Sequence, residues 1–274
     1  FGFLGANGAG KTTTLKLLMR LIFPTSGTAR ILDRDIHDVR MHERIGYLPE
    51  NPYFYDYLTA REFLDYCAQI FGYPAADRRR RAADLLARVH LDEKRWDTQL
   101  RKFSKGMLQR VGLAQSLIND PEIVFLDEPM SGLDPVGRRE VRDLIASLRA
   151  DGKTVFMCSH ILSDIEVLCD RVAILKRGRL DQVGHLDELR QRTEGPNRME
   201  VLATGADAAA LSDLAHAGIS ATPRGLRIEI ASEDEIDNVL AALRKAGGKV
   251  VSIQPVKQSL EELFLDEPAP RPNP

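Results

Sequence analysis

Two rhythms of apolar and polar positions divide this chain. Mainly apolar runs at 1–4, 123–126, 154–158 and 171–175 lack polar alternation, which predicts strands buried on both faces. Residues 28–32 and 44–48 read as further strands. Between the runs lie segments of helical period. Residues 13–22 form an apolar helix. Thr59 and Glu62 make a capping box for a helix that Gly72 and Pro74 close. Asp77 is expected to cap the next helix, with Ala82, Leu85, Leu86 and Val89 on one face. Ser104 begins a helix to about 118, which Asn119-Asp120-Pro121 breaks. Asp134-Pro135 caps another, with Val141, Leu144, Ile145 and Leu148 in register. Turns are expected at Asp151-Gly152 and at Lys176-Arg177-Gly178.

Strands alternating with helices predict an α/β fold, a parallel sheet with helices on both faces. The mostly helical stretch at about 57–120 interrupts that alternation as a subdomain. The pattern changes at 193–197 (Thr-Glu-Gly-Pro-Asn), a linker signal that ends a first domain at about 192. Beyond it we expect strands at 198–203, 226–230 and 249–253. Helices are expected at 207–217, after a second capping box at Ser232 and Glu235, and at 259–264. Together these make a small α+β domain over 198–266. The proline-rich 267–274 is expected to be disordered.

Composition narrows the class. Of 274 residues, 43% are hydrophobic and 28% charged, which fits a globular chain. A net charge of −2 gives no global attraction to nucleic acid or anionic lipid. Cys67, Cys158 and Cys169 have neither metal spacing nor a disulfide framework, so a reducing compartment fits. The basic run Arg78 to Arg81 reads either as a solvated helix face or as a short nucleic-acid patch. The chain opens inside a strand and without Met, so we expect natural residues upstream of it.

Chemistry enters at Gly5-Ala6-Asn7-Gly8-Ala9-Gly10-Lys11-Thr12. The run fits the phosphate-binding loop of P-loop nucleoside triphosphatases, placed between a strand and a helix as that motif requires. Glycines let successive N–H groups turn toward phosphate oxygens, at the positive end of the following helix. Lys11 is expected to reach the β- and γ-phosphates and Thr12 to ligate Mg²⁺. Gly5, Asn7, Gly8, Ala9, Gly10 and Thr13 complete the cradle.

Asp127-Glu128 ends an apolar strand, at the sheet edge where ligands bind in such folds. Asp127 is expected to hold Mg²⁺ beside Thr12. Glu128 is expected to accept a proton from the attacking water. His160 follows the next strand, where an imidazole can hold Glu128, the water and a γ-phosphate oxygen.

These residues, in this order, resemble the ATP-binding subunit of ABC (ATP-binding cassette) transporters over residues 1 to about 190. The motifs are the loop 5–12, Glu50 in place of the usual glutamine, Phe103-Ser104-Lys105-Gly106-Met107, Asp127-Glu128 with Ser131-Gly132-Leu133-Asp134, and His160. The resemblance implies a head-to-tail dimer, homo- or heteromeric, that sandwiches two ATP molecules. Ser104 and Gly106, at a helix N-terminus, would face the partner's γ-phosphate. Asp134 would reach across the same interface or serve only as an N-cap. It also implies separate transmembrane subunits, a peripheral position on the cytoplasmic face of the membrane, and an adenine-stacking aromatic upstream of the loop. No nucleic-acid partner is expected. The region after 197, with Lys257-Gln258-Ser259-Leu260-Glu261-Glu262-Leu263-Phe264, is similar to the accessory domain of a bacterial exporter-type branch.

The sequence departs from the family pattern at Glu50 and in the signature, where Phe103, Lys105 and Met107 replace Leu, Gly and Gln. Glu50 could coordinate Mg²⁺ as a carboxylate or stay clear of it. Lys105 replaces a glycine and would add a cation near the partner's phosphate. Tyr53, Phe54, Tyr55 and Tyr57 either border the groove that receives the membrane subunit or pack within the helical subdomain. Two rival readings remain at this stage. One is a soluble ABC ATPase acting on ribosomes or nucleic acid, though the chain has one cassette and no heptad run. The other is a regulatory module that binds ATP without turnover.

Overall fold

The computed structural model describes residues 1–193, 199–211, 218–223 and 225–255. The chain divides into two compact units, Phe1–Leu186 and Asp187–Pro274.

The first unit opens with β1 (Gly2–Leu4), the phosphate loop and α1 (Lys11–Leu18). A two-stranded hairpin follows, β2 (Arg30–Ile31) and β3 (Arg34–Asp35), then β4 (Ile45–Leu48). The helical stretch holds α2 (Ala60–Ile70), α3 (Ala75–Arg88) and α4 (Lys105–Ser116). After it come β5 (Ile123–Asp127), α5 (Pro135–Ala150), β6 (Thr154–Ser159), α6 (Leu162–Leu168), β7 (Arg171–Lys176) and β8 (Arg179–His185).

Six strands form one sheet in the order β4-β5-β6-β1-β7-β8. The first five run parallel and β8 pairs antiparallel with β7 at the edge. Period-two alternation gives the sheet two apolar faces. Phe3, Phe125, Cys158 and Ala173 pack with Leu15 and Met19 on the α1 side. On the other side Gly2 lies so close to α6 that a Cβ would sit 2.7 Å from Ile165 Cγ2. The apolar runs therefore mark strands covered from both sides, as their lack of alternation predicts.

Side-chain caps account for three helix starts. Thr59 and Glu62 form both halves of the capping box on α2. Ser104 Oγ accepts from Met107 N at 3.3 Å, and Asp134 Oδ1 accepts from Gly137 N at 2.9 Å. Each cap stabilises its helix by about 1 kcal/mol. Asp77 is not a cap. Pro74 occupies that position on α3, and Asp77 lies in the first turn, paired with Arg80. Proline's fixed φ starts the helix earlier than the acidic side chain suggested. The run Arg78 to Arg81 is engaged internally. Arg78 meets Asp65, and Arg81 donates to Ile118 O while lying over the Tyr73 ring.

Helix α7 (Leu186–Thr193) spans the start of the second unit, a helix that no sequence signal marks. Strands β9 (Met199–Thr204), β10 (Gly218–Thr222), β11 (Gly225–Ile230) and β12 (Lys249–Pro255) form an antiparallel sheet in the order β10-β11-β9-β12. Helix α8 (Ile236–Lys245) contributes Val239 and Leu243 to a core with Val201, Ala203, Leu226 and Ile228.

Two expectations for this unit change. At 207–217 the described part is only a short 3-10 turn, Ala208–Leu211. The second capping box does not form either, because Ser232 precedes another 3-10 turn, Glu233–Glu235, and makes no side-chain cap. Three acids in that turn favour a helix start electrostatically without the reciprocal hydrogen bonds. The linker core 194–198, the helix 259–264 and the tail 267–274 lie outside the described residues.

Candidate functional site

Because β1, β4, β5 and β6 run parallel, their carboxyl ends share one edge of the sheet. That edge brings together the loop after β1, Glu50 after β4, Asp127-Glu128 after β5 and His160 after β6. A cleft of about 360 Å³ opens there, lined by Asn7, Gly8, Gly10, Lys11, Thr12, Thr13, Glu50, Glu128, Ser131 and His160.

The loop is built for an anion. Gly10 is the N-cap of α1 at φ 105°, a conformation closed to side chains, and it offers no side-chain acceptor. The first-turn N–H groups of α1 are therefore left for a ligand, at the positive end of the helix. Lys11 is 7% exposed. Its Nζ donates to Gly5 O at 2.6 Å and Ala6 O at 3.3 Å, and lies 3.9 Å from Glu128 Oε1. Gly5 and Ala9 do not line the cleft. They are buried behind the loop, where Ala9 joins the core under α1.

Glu128 is held firmly. Its φ of 51° is left-handed, which costs about 1–2 kcal/mol for a residue with a Cβ. The backbone is pinned in that state. Glu128 N donates to Cys158 O at 3.0 Å, and Glu128 O accepts from Ser131 N at 3.0 Å. His160 Nδ1 donates to Glu128 Oε1 at 2.8 Å, which puts the ring proton of a neutral imidazole on Nδ1. This acid–imidazole pair sits at the cleft wall.

Asp127 lies beneath the loop, fully buried, and neither carboxylate oxygen makes a hydrogen bond of ordinary geometry. Burial raises its pKa above the usual carboxylate value. The nearby Thr12 hydroxyl opposes this, while the charges of Glu50 and Glu128 add to it. Two buried, unsatisfied carboxylate oxygens next to a threonine hydroxyl fit a hard cation, which takes oxygen ligands. Among the described residues no group of three or more His, Cys, Asp or Glu side chains is arranged to hold a metal. The remaining ligands of a cation here would be phosphate oxygens and water.

One further residue lines this site, and another lies behind it within reach of Asp127's charge. Ser131 reaches the cleft from the loop after Glu128, a position that its neighbourhood to the two acids could have signalled. Tyr47 on β4 has a buried, unpartnered hydroxyl. Its phenol is pushed up to about 12, chiefly by burial and then by the charge of Asp127. No sequence pattern marks it. Ser104, Gly106 and Asp134, by contrast, do not line this cleft. Ser104 is exposed at the start of α4, and Asp134 is the cap of α5.

Fold and site together define a P-loop ATPase: an anion cradle, a buried acid below it, and an acid–imidazole pair beside it. The comparisons narrow this. The ABC transporter family model matches residues 1–131, and that of the ATP-binding protein DrrA1-3-like C-terminal domain matches 184–267. An uncharacterized ABC transporter ATP-binding protein of Nostoc sp. is 47% identical over 97% of this chain and 78% of its own length. A fluoroquinolones export ATP-binding protein of Mycobacterium tuberculosis is 42% identical over 69% of this chain and 62% of its own. Among solved structures, the dimeric post-hydrolysis state of an ATP-binding cassette bound to ADP and Pi superposes with a TM-score of 0.63. It is 28% identical, covering 68% of this chain and 84% of that one. The chain belongs to the ABC transporter ATP-binding proteins, ATPases that work with transmembrane subunits.

Proposed function

We propose that this chain powers a bacterial exporter, as an ATPase that closes on ATP with a second nucleotide-binding subunit. The observation that carries the closure is an incomplete site. The cleft holds a phosphate loop, Glu128 and His160, while Ser104 and Gly106, at the N-terminus of α4, do not line their own cleft. In a head-to-tail pair they would complete the partner's site. Export is supported by the similarity to the fluoroquinolones export protein and by the DrrA-like match after residue 184. On this reading residues 1–192 are the nucleotide-binding domain and 198–266 the accessory domain.

The chemistry follows from the residues present. Lys11 and the N–H groups of α1 bind the phosphates and spread their charge. Thr12 and Asp127 would hold Mg²⁺, with Glu50 at the cleft mouth as a third oxygen donor. When bound, the ion supplies Lewis-acid stabilisation of the phosphoryl oxygens. Glu128 takes a proton as water attacks the γ-phosphorus and the β-phosphate oxygen leaves. His160 keeps Glu128 aimed. His160→Ala should lower the steady-state ATPase rate by about 10- to 100-fold through lost orientation. Its thermal midpoint should stay near wild type, because the side chain is half exposed. A full-rate His160→Ala enzyme would remove the imidazole from the mechanism.

Membrane association would come from the transmembrane subunits, on the cytoplasmic face. Among the described residues no helix is long and apolar enough to cross a membrane. Tyr53, Tyr55 and Tyr57 are exposed, although Tyr55 also meets Tyr66 of α2 edge-on at 5.7 Å, and Phe54 packs edge-on against Phe63 at 5.2 Å. The three tyrosines suit a partner surface.

Closure has a direct test. With Mg-ATP, a Glu128→Gln chain should run as a dimer in size-exclusion chromatography with light scattering. Adding Gly106→Glu should abolish that dimer. A carboxylate in the first turn suits the helix dipole but repels the partner's phosphate. ATP affinity of the monomer should be unchanged, since Gly106 lies outside its own cleft. A dimer that survives Gly106→Glu would disprove the head-to-tail arrangement.

A further inference from the structure

The loop that follows Glu128 is seated on one face of α4, one contact per turn. Gln109 Nε2 donates to Pro129 O at 3.0 Å, in a buried position. One turn earlier, Lys105 lies across Gly132, and a Cβ on that glycine would fall 2.7 Å from its Cδ and Cε and 2.8 Å from Nζ. Beside it, Gly106 faces Leu133, whose Cδ2 would be 3.3 Å from a Cβ there. Positions 105 and 109 share a helix face by their spacing. The same loop carries Ser131 into the nucleotide cleft and hangs from Glu128 by the Ser131 N to Glu128 O bond of 3.0 Å.

Lys105 is an odd choice for this place on local grounds. It is the first residue of α4, where the helix dipole disfavours a cation, and the first turn holds no acidic residue to offset it. The side chain is exposed and forms no ion pair among the described residues. Gly132, at φ 72°, has no Cβ and leaves room for the lysine stem to lie on its backbone. A local rule broken against stability at the edge of a site points to a use for the side chain.

We propose that Lys105 is a positioning residue for ATP hydrolysis. Its aliphatic stem clamps the loop 129–133 onto the start of α4 and so steadies Glu128 and Ser131 at the cleft. The role belongs to the stem rather than to the charge. It rests on Glu128 acting in hydrolysis, but the contact itself is made within one chain and needs no second subunit.

The test uses the full chain with Lys105→Ala, which removes the stem, and Lys105→Met, which keeps its length without the charge. In nucleotide-free protein, hydrogen exchange of the amides at 131–133 should rise about 10-fold in Lys105→Ala and stay near wild type in Lys105→Met. The ATPase kcat should fall about 10-fold in the alanine variant, with KM for ATP within about twofold, and be retained by methionine. Thermal midpoints should match wild type in both, because the side chain is exposed. Wild-type exchange in Lys105→Ala overturns the clamp. A methionine variant as impaired as alanine also overturns it, in favour of the charge. Faster exchange with unchanged kcat overturns the link to hydrolysis, independently of whether Glu128→Gln is active.

Discussion

Glu128→Gln is expected to lower the ATPase rate by about 10²- to 10⁴-fold, the range that a positioned general base contributes. The change keeps the size of the side chain and one acceptor oxygen, so the pinned backbone between Cys158 and Ser131 should survive. His160 Nδ1 can still donate to the amide oxygen. ATP binding should be retained or tightened, since a carboxylate facing the phosphates is lost. The measurement is single-turnover hydrolysis beside equilibrium nucleotide binding. Hydrolysis at the wild-type rate would take Glu128 out of the base role and return the non-hydrolysing reading to consideration.

Asp127→Asn is expected to trade activity for stability, in a way that depends on pH. The folded-state pKa of Asp127 is raised, by burial first. A raised carboxyl contributes fully to stability below its unfolded value, and that contribution is lost as pH rises through the folded value. Wherever that carboxyl is ionised, the nucleotide-free protein carries a buried, unsatisfied carboxylate. Replacing it with an uncharged amide should stabilise that state by about 1–3 kcal/mol. The gain should vanish at acid pH, where the native carboxyl is also neutral. With Mg-ATP the order reverses, because wild type gains a metal ligand that the variant lacks, and hydrolysis should fall by about 10²-fold or more. Melting curves at neutral and acid pH, with and without Mg-ATP, contain the whole prediction. A nucleotide-free Asp127→Asn protein that melts lower than wild type at neutral pH would contradict it.

The legible parts of this molecule are those where function acts through residue type at fixed spacing. The run 5–12, Asp127-Glu128 and the buried strands around them are local patterns, and parallel pairing then gathers them at one edge without further information. His160 was legible as a residue after a strand, but its pairing with Glu128 is a tertiary fact. Ser131 was legible from its place just after the two acids, whereas the Tyr47 hydroxyl near Asp127 and the contact of Lys105 with Gly132 arise where segments far apart in sequence meet, so no spacing announces them. In the second unit the signals are weaker for a physical reason. Its strands are half exposed and partly polar, and β10, with Ser220 and Thr222, shows little alternation. Ser232 and Glu235 matched a motif whose hydrogen bonds a 3-10 turn does not allow. Pro74 displaced Asp77 because a locked φ outweighs a side-chain acceptor.

The place of β1 in the sheet has a consequence for how the molecule comes into being. It precedes every other described strand, yet its two neighbours are β6 and β7, with Gly2 set beside Met157 and Val172. Such pairings close very large loops and form late. The phosphate loop is made before the segments that wall it, and its cleft lacks a side until His160 has been added. Tight binding of ATP is therefore expected only once the chain has been made past His160.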